Sequence, residues 1–151
     1  MTRSYTNNHK TVLGIAGALN HDASVSIVKG NEILFAAHSE RYSKIKNDPL
    51  LNSEIIHNAL EYGTPEVIAW YENPWKKKAR QLWAGQYETA FDKEELPKRY
   101  LQQFSELKDL PIVYQDHHYT HAASGYHTSG FVNAAVVVID SIGEWETLTI
   151  W

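Results

Sequence analysis

The stretch TVLGIAGALNHDASVSIVKGNEILFAA, residues 11–37, decides the fold class. Thr11–Leu19 is an apolar run with β-branched residues, bounded by the polar trio Asn20-His21-Asp22, and reads as a buried strand. Ser24–Val28 alternates, Lys29-Gly30-Asn31 carries tight-turn chemistry, and Glu32–Ala37 continues as a strand. Three strands in a meander therefore open the chain. Asn20, His21 and Asp22 fall in the first turn. Asn and Asp are ordinary in hairpin turns, yet such a turn can also aim backbone N–H groups and short polar side chains at a phosphate.

Helical spacing appears next, at Ile55, Ile56, Ala59 and Leu60. It predicts a helix over Ser53–Tyr62, capped by Ser53 and closed by Gly63. Val67–Tyr71 reads as a short buried strand. Asn73-Pro74 is an N-cap followed by proline at the first helical position, launching a helix to about Trp83. Tyr100, Leu101, Phe104 and Leu107 share one face of an expected helix over Glu94–Leu107. Ile112–Tyr114 reads as a strand. Ala134–Ile139 is expected to be a strand buried on both faces, followed by a turn over Asp140–Glu146 and a last strand from Thr147. The alternation of elements defines an α/β chain. Residues 1–10 read as a flexible lead-in and 11–151 as one domain. A final strand with no closing element predicts either a fragment of a longer protein or a partner element from another chain.

Composition narrows the function classes. With 151 residues, 43% hydrophobic and 21% charged, the chain can bury one real core. A net charge of -4 argues against coating nucleic acid, which requires a basic face. The absence of cysteine removes disulfides, thiolate metal sites and a cysteine nucleophile. The polar first ten residues lack a signal-peptide core, and Ala134–Ile139 is far shorter than the roughly 20 apolar residues that span a bilayer. A cytoplasmic protein without a membrane segment is expected.

The densest chemistry lies in YQDHHYTHAASGY, residues 114–126. On a helix, His117 and His121 fall on one face one turn apart, so both imidazoles can reach one divalent ion. The glutamate of the helical zinc-protease motif is absent, because His118 sits in its place. A metal-dependent hydrolase is thereby disfavoured, and a third ligand would have to come from elsewhere. On spacing alone, a helix start capped by Asp116 with solvated histidines remains the simpler reading. Two further stretches bear on the choice. HSERYSKIKNDP, residues 38–49, concentrates Glu40, Arg41, Lys44 and Lys46; the arginine and lysines suit phosphate or carboxylate groups, although a solvated charged loop is the commoner case for any one of them. DSIGEWET, residues 140–147, ends a buried strand in Asp140 and follows it with a turn containing Gly143. Lys76–Arg80, KKKAR, reads as a solvated helix face.

Three motifs, ALNHDASVSIVKGNEILFAAHSERYSKIKND, HHYTHAASGYHTSGF and VVVIDSIGEWETLTI, occur in an order that resembles the N-terminal region of the O-carbamoyltransferases. These are antibiotic-tailoring and nodulation enzymes, related to the carbamoyltransferase of hydrogenase maturation. The resemblance covers most of residues 11–151 and is weakest between about 63 and 110. It implies the N-terminal half of an actin/hexokinase-like nucleotide-binding fold and a truncated catalytic domain. Carbamoyl phosphate and ATP would form a carbamoyl-adenylate, whose carbamoyl group passes to a hydroxyl-bearing acceptor. Nucleic acid would enter only as a modified-nucleobase acceptor.

By the same resemblance, His117 and His121 would bind a divalent metal. Iron is favoured, with manganese, magnesium or zinc compatible with the same donors. His21 and Lys46 would be catalytic. Asn20, Asp22, Glu40, Arg41, His118, Asp140 and Gly143 would contact substrate, with Asp140 heading the second nucleotide loop. The family usually has glycine after that aspartate, where this chain has Ser141, whose side chain would crowd an approaching phosphate. The family's third metal ligand, an aspartate, would lie beyond residue 151. The isolated piece is therefore expected to be inactive and to self-associate or require a C-terminal partner segment. A non-catalytic nucleotide- or partner-binding domain remains the alternative.

Overall fold

The computed structural model describes residues 10–151. The expected lead-in over 1–10 lies, except for Lys10, outside the described residues. The chain divides into two compact units, one ending at Ala69 and one running Trp70–Trp151.

The first unit is a sheet with one helical layer. Its strands are β1 (Thr11–Ala16), β2 (Ser24–Lys29) and β3 (Glu32–His38). They are followed by a one-turn helix α1 (Glu40–Ser43), a longer α2 (Ser53–Glu61) and β4 (Val67–Trp70), which reaches the boundary. The strand order β3-β2-β1-β4 places the expected meander on one side of β1. β1 and β2 are antiparallel with Leu13 opposite Ile27, and β2 and β3 pair with an irregularity at Ile27/Val28. Leu13, Ile15, Val25, Ile27 and Ile68 are buried, as are Ile55, Ile56 and Ala59 of α2. A side chain at Gly63 would meet the methyls of Ile27 and Thr11 at 3.2 Å, which explains a glycine at the end of α2.

β1 stops three residues earlier than expected. Gly17 has φ +71, and a Cβ there would lie 2.2 Å from the His21 carbonyl, so only glycine turns the chain at this point. The cap of α2 also moves by one residue. Asn52, not Ser53, accepts the Ile55 N–H at 3.0 Å, leaving Ser53 as the first helical residue.

In the second unit, α3 (Pro74–Trp83) begins as expected, with the Asn73 side chain accepting the N–H groups of Trp75 and Lys76. Helices α4 (Tyr87–Phe91) and α5 (Pro97–Tyr100) and a 3₁₀ turn (Leu101–Gln103) follow. The expected single helix over Glu94–Leu107 does not form. Pro97 has no N–H to donate and can occupy only a helix start, so the helix begins there and tightens within one turn. Burial was the correct half of that reading, since Tyr100, Leu101, Phe104 and Leu107 are all buried. Tyr100 packs edge-on against both Trp70 and Phe104.

β5 (Ile112–Tyr114) leads to α6 (His117–Ser129), and β6 (Val137–Gly143) and β7 (Glu146–Ile150) form an antiparallel hairpin. β6 is not buried on both faces. Val138 is buried, but Val137 and Ile139 are 56% and 76% exposed, because among the described residues β6 pairs only with β7, and α6 packs against it. The strand also runs on to Gly143, so the expected long turn shrinks to Glu144–Trp145. Nor is Lys76–Arg80 a solvated face. Lys76 bonds Asp116 at 2.7 Å, Lys77 bonds Glu72 at 2.8 Å, and Lys78 donates to the carbonyls of Thr89 and Asp92.

Candidate functional site

The second unit gathers the chemistry of α6 and β6. Asp116 holds extended backbone at the start of α6 without capping it by its side chain, which goes to Lys76 instead. One helical turn then stacks His117 and His121 on one face, and their Nε2 atoms stand 3.0 Å apart. Asp140 Oδ2 lies 2.9 Å from His117 Nε2 and 3.8 Å from His121 Nε2. These three side chains form the group of three histidine and acidic ligands that could hold a metal ion among the described residues.

Electrostatics favour a cation at this point. Burial would raise the Asp140 carboxyl, but the Ser141 N–H at 2.6 Å and the His117 ring outweigh it and hold the group below the ordinary aspartate range. Burial, with the neighbouring His117, pushes the His121 imidazole down. At neutral pH the site therefore offers an ionised carboxylate and a neutral His121. His117 Nε2 faces both Asp140 and His121 Nε2, and a ring nitrogen carries at most one proton to share between them. A divalent ion bonded at about 2.0–2.1 Å makes donor-to-donor edges of roughly 3.0–3.4 Å, so this set fits one with little adjustment.

His117 is oriented unusually for a ligand. Its Nδ1 is buried with no hydrogen-bond partner among the described residues, whereas ligating histidines generally donate that N–H. Packing holds the ring instead: Tyr71 meets it edge-on at 5.8 Å, and Gly143 lies against it so closely that a Cβ would come within 2.5 Å of Cδ2. His118 is 3% exposed and its Nδ1 shares a 2.9 Å hydrogen bond with Thr149 Oγ1, placing it in the packing between α6 and β7. Gly143 is buried beneath the rings of His117 and His118, a packing role that sequence reading missed.

The remaining candidates sit together in the first unit. Lys46 reaches Glu40 at 3.1 Å, Arg41 lies 3.7 Å from the same carboxylate, and His21 Nδ1 is 3.2 Å from Asp22. The segment around Asn20 is laced to residues 47–49, with Ala23 N–H donating to the Asp48 carbonyl and Leu19 N–H to that of Pro49. Leu19, Asp22, Lys44 and Asn47 all have positive φ. Four non-glycine residues in that region, crowded into two adjoining segments, mark the kind of strain that collects at functional sites. Leucine and lysine give no sequence sign of it.

Fold and donor set together define a mixed α/β chain with a two-histidine, one-carboxylate centre on its helix–hairpin unit. Comparison with known proteins gives this class a family. Residues 68–151 match the family described as carbamoyltransferase N-terminus, and the chain belongs to that family. An uncharacterized protein of Synechocystis, sll1178, is 30% identical over 165 aligned positions that take in 93% of this chain and 27% of that protein. The nodulation protein NolNO of Sinorhizobium fredii is 26% identical over 148 positions, 91% of this chain and 22% of its own length. The chain thus spans about a quarter of the length of these relatives. No helix among the described residues is long and apolar enough to cross a membrane.

Proposed function

We propose that the chain is the N-terminal part of an ATP-dependent O-carbamoyltransferase with a metal-assisted site at His117, His121 and Asp140. In this reading carbamoyl phosphate and ATP yield a carbamoyl-adenylate, and the carbamoyl group then passes to an acceptor hydroxyl. The observation that carries it is the convergence of the three donor atoms, within 4.8 Å of one another, inside the segment that matches the family. The meander and the second hairpin support an actin/hexokinase-like nucleotide-binding fold, each offering a turn that can face phosphate.

When bound, the ion supplies Lewis-acid charge neutralisation, with iron favoured and other divalent ions compatible with the donors. The chain's own residues do the positioning. Asp140 and the histidine pair would hold that ion where its positive charge can meet phosphate oxygens. Lys46, Arg41 and His21 supply cationic and hydrogen-bonding groups for phosphate or carbamoyl oxygens, with Glu40 and Asp22 as their resting partners. Little covalent help is required beyond such orientation.

The hairpin also suggests a partner. Val137, Ile139, Leu148 and Ile150 face each other across its register and are all more than half exposed. Such a face is covered in a longer chain by a C-terminal segment, or else drives self-association. A protease-like hydrolase gains nothing from the geometry, because His118 stands where a general base would be needed and is buried against Thr149.

The test uses the intact protein. Pyrophosphate release should require both ATP and carbamoyl phosphate, and divalent-metal content should be lost in His117→Ala, His121→Ala and Asp140→Ala while His127→Ala retains it. Equal metal occupancy in all four variants would sink the centre. Pyrophosphate release indifferent to carbamoyl phosphate would sink the reaction.

A further inference from the structure

We infer that Glu144 is a positioning residue, whose buried carboxylate pins the β6–β7 tip so that Gly143 orients His117 and Asp140 stays within its reach. The inference rests on the metal-centre reading above for its functional meaning, but its structural content stands on separate observations.

The first is the break in the hairpin ladder. Val137–Ile139 pair with Ile150–Leu148, and the next pair is Gly143 with Glu146. Residues 140–142 therefore stand opposite Thr147 alone, so Asp140 sits at the mouth of a bulge. Bulges loosen a ladder and re-aim side chains, and beyond this one only a single residue pair and a two-residue turn remain. Something other than strand pairing must fix that tip.

Two turn residues reach back to do it: Trp145 packs against Trp83 of α3, and Glu144 is the buried one. It is 4% exposed, although it occupies a hairpin turn, where glutamate is normally solvated. Its φ is +50, in the region that disfavours a side chain. One contact works against both costs: the Asn73 backbone N–H donates to Oε1 of the Glu144 carboxylate, while Oε2 stays buried without a hydrogen-bond partner among the described residues. Asn73 is itself placed by α3, whose Trp75 and Lys76 N–H groups its side chain accepts. From the same helix Lys76 holds Asp116 at the start of α6. The hairpin tip and the histidine helix are thus tied to one element.

The last link is His117. Its Nε2 faces Asp140 and His121, while its Nδ1 has no hydrogen-bond partner among the described residues, so on that side packing holds the ring, chiefly Gly143 and Tyr71. Releasing Glu144 would let Gly143 lift away and free the ring to rotate off the Asp140 line. No distant element needs to move.

Two variants separate this role from mere packing. Glu144→Ala removes the acceptor, whereas Glu144→Gln keeps a carbonyl oxygen for Asn73. In the intact protein without metal, nuclear Overhauser contacts between His117 Hδ2 and the Gly143 α-protons should be present in the parent and in Glu144→Gln and lost in Glu144→Ala. Titration with a divalent ion alone, zinc or iron(II), should show affinity about 10–100-fold weaker in Glu144→Ala and within about threefold of the parent in Glu144→Gln. Retained His117–Gly143 contacts in Glu144→Ala, or their equal loss in Glu144→Gln, would overturn the positioning role. Should contacts follow this pattern while neither the parent nor His117→Ala binds metal, the positioning role stands and the metal-centre reading fails instead.

Discussion

Two glycines in the second unit should respond to alanine in opposite directions. At Gly143, an added Cβ would lie 2.5 Å from His117 Cδ2, 2.7 Å from His118 Cδ2 and 3.1 Å from His117 Cγ. Neither ring can retreat freely, since His118 is buried and bonded to Thr149 and His117 is backed by Tyr71. The hairpin must lift, and overpacking of this kind costs about 1–3 kcal/mol. For a chain of this size that lowers the melting temperature by roughly 2–12 °C. Displacing His117 should also weaken divalent-metal binding about 10–100-fold. At Gly125, inside α6, the nearest atom to an added Cβ is Val136 Cγ1 at 4.0 Å, an ordinary contact. Here alanine removes the backbone-entropy cost of a helical glycine and should stabilise by roughly 0.5–1 kcal/mol. Thermal melts followed by circular dichroism, with a metal titration on each variant, check both signs. A Gly143→Ala protein that melts at or above the parental temperature with unchanged metal affinity would refute the packing argument.

Two further outcomes are expected. Burial pushes the Glu144 carboxyl above the ordinary glutamate range, against the hydrogen bond from Asn73. A raised pKa means the folded state holds that proton more tightly than the unfolded chain, so stability is lost as pH rises from the ordinary glutamate range through the raised value. Glu144→Gln should flatten the stability profile in that window, and denaturant midpoints measured from pH 4 to 8 that stay parallel for the two proteins would contradict it. Lys46→Ala should change stability by less than roughly 0.5 kcal/mol, because its ion pair with Glu40 is made by a side chain 82% exposed. If Lys46 serves the proposed reaction, carbamoyl-phosphate use in the intact protein falls sharply nonetheless, and parental kinetics would return the residue to a decorative role.

The elements legible in the sequence are those specified by local chemistry. Asn73-Pro74 started α3 as expected because capping and proline preference act within four residues. The opening meander followed from alternation and a Lys-Gly-Asn turn. What failed depended on distant or backbone-level facts. The apolar positions at Tyr100, Leu101, Phe104 and Leu107 announced burial correctly, but period alone could not show that Pro97 would restart the chain and a 3₁₀ turn would follow. An apolar run at Ala134–Ile139 cannot say how many of its faces are covered, and β6 has a neighbour on one edge only among the described residues. The lysines of Lys76–Lys78 read as solvated because their partners, Asp116, Glu72 and the carbonyls of Thr89 and Asp92, are set by the fold.

The donor set divides along the same line. The i,i+4 spacing brings the two imidazoles together on any regular helix, so His117 and His121 could be named without a structure. The family resemblance puts Asp140 on a nucleotide loop and the third ligand beyond residue 151. The local signal was incomplete, because only the structure shows which of the apolar positions beside Asp140 is buried. In a strand, alternate residues share a face, so Asp140 lies on the side of Val138, the buried position of β6, and not with exposed Val137 and Ile139. If Val138 packs inward against a helix, Asp140 must point toward that helix too. The sequence leaves open which helix that is and how far along it the carboxylate falls. Those are fixed by the bulge after Ile139, by Gly143 fitting beneath two imidazole rings, and by a buried glutamate at the turn. Candidate donors can be read from their types and spacing, whereas the residues packed around them look like a glycine in a turn and a surface acid until the packing is known.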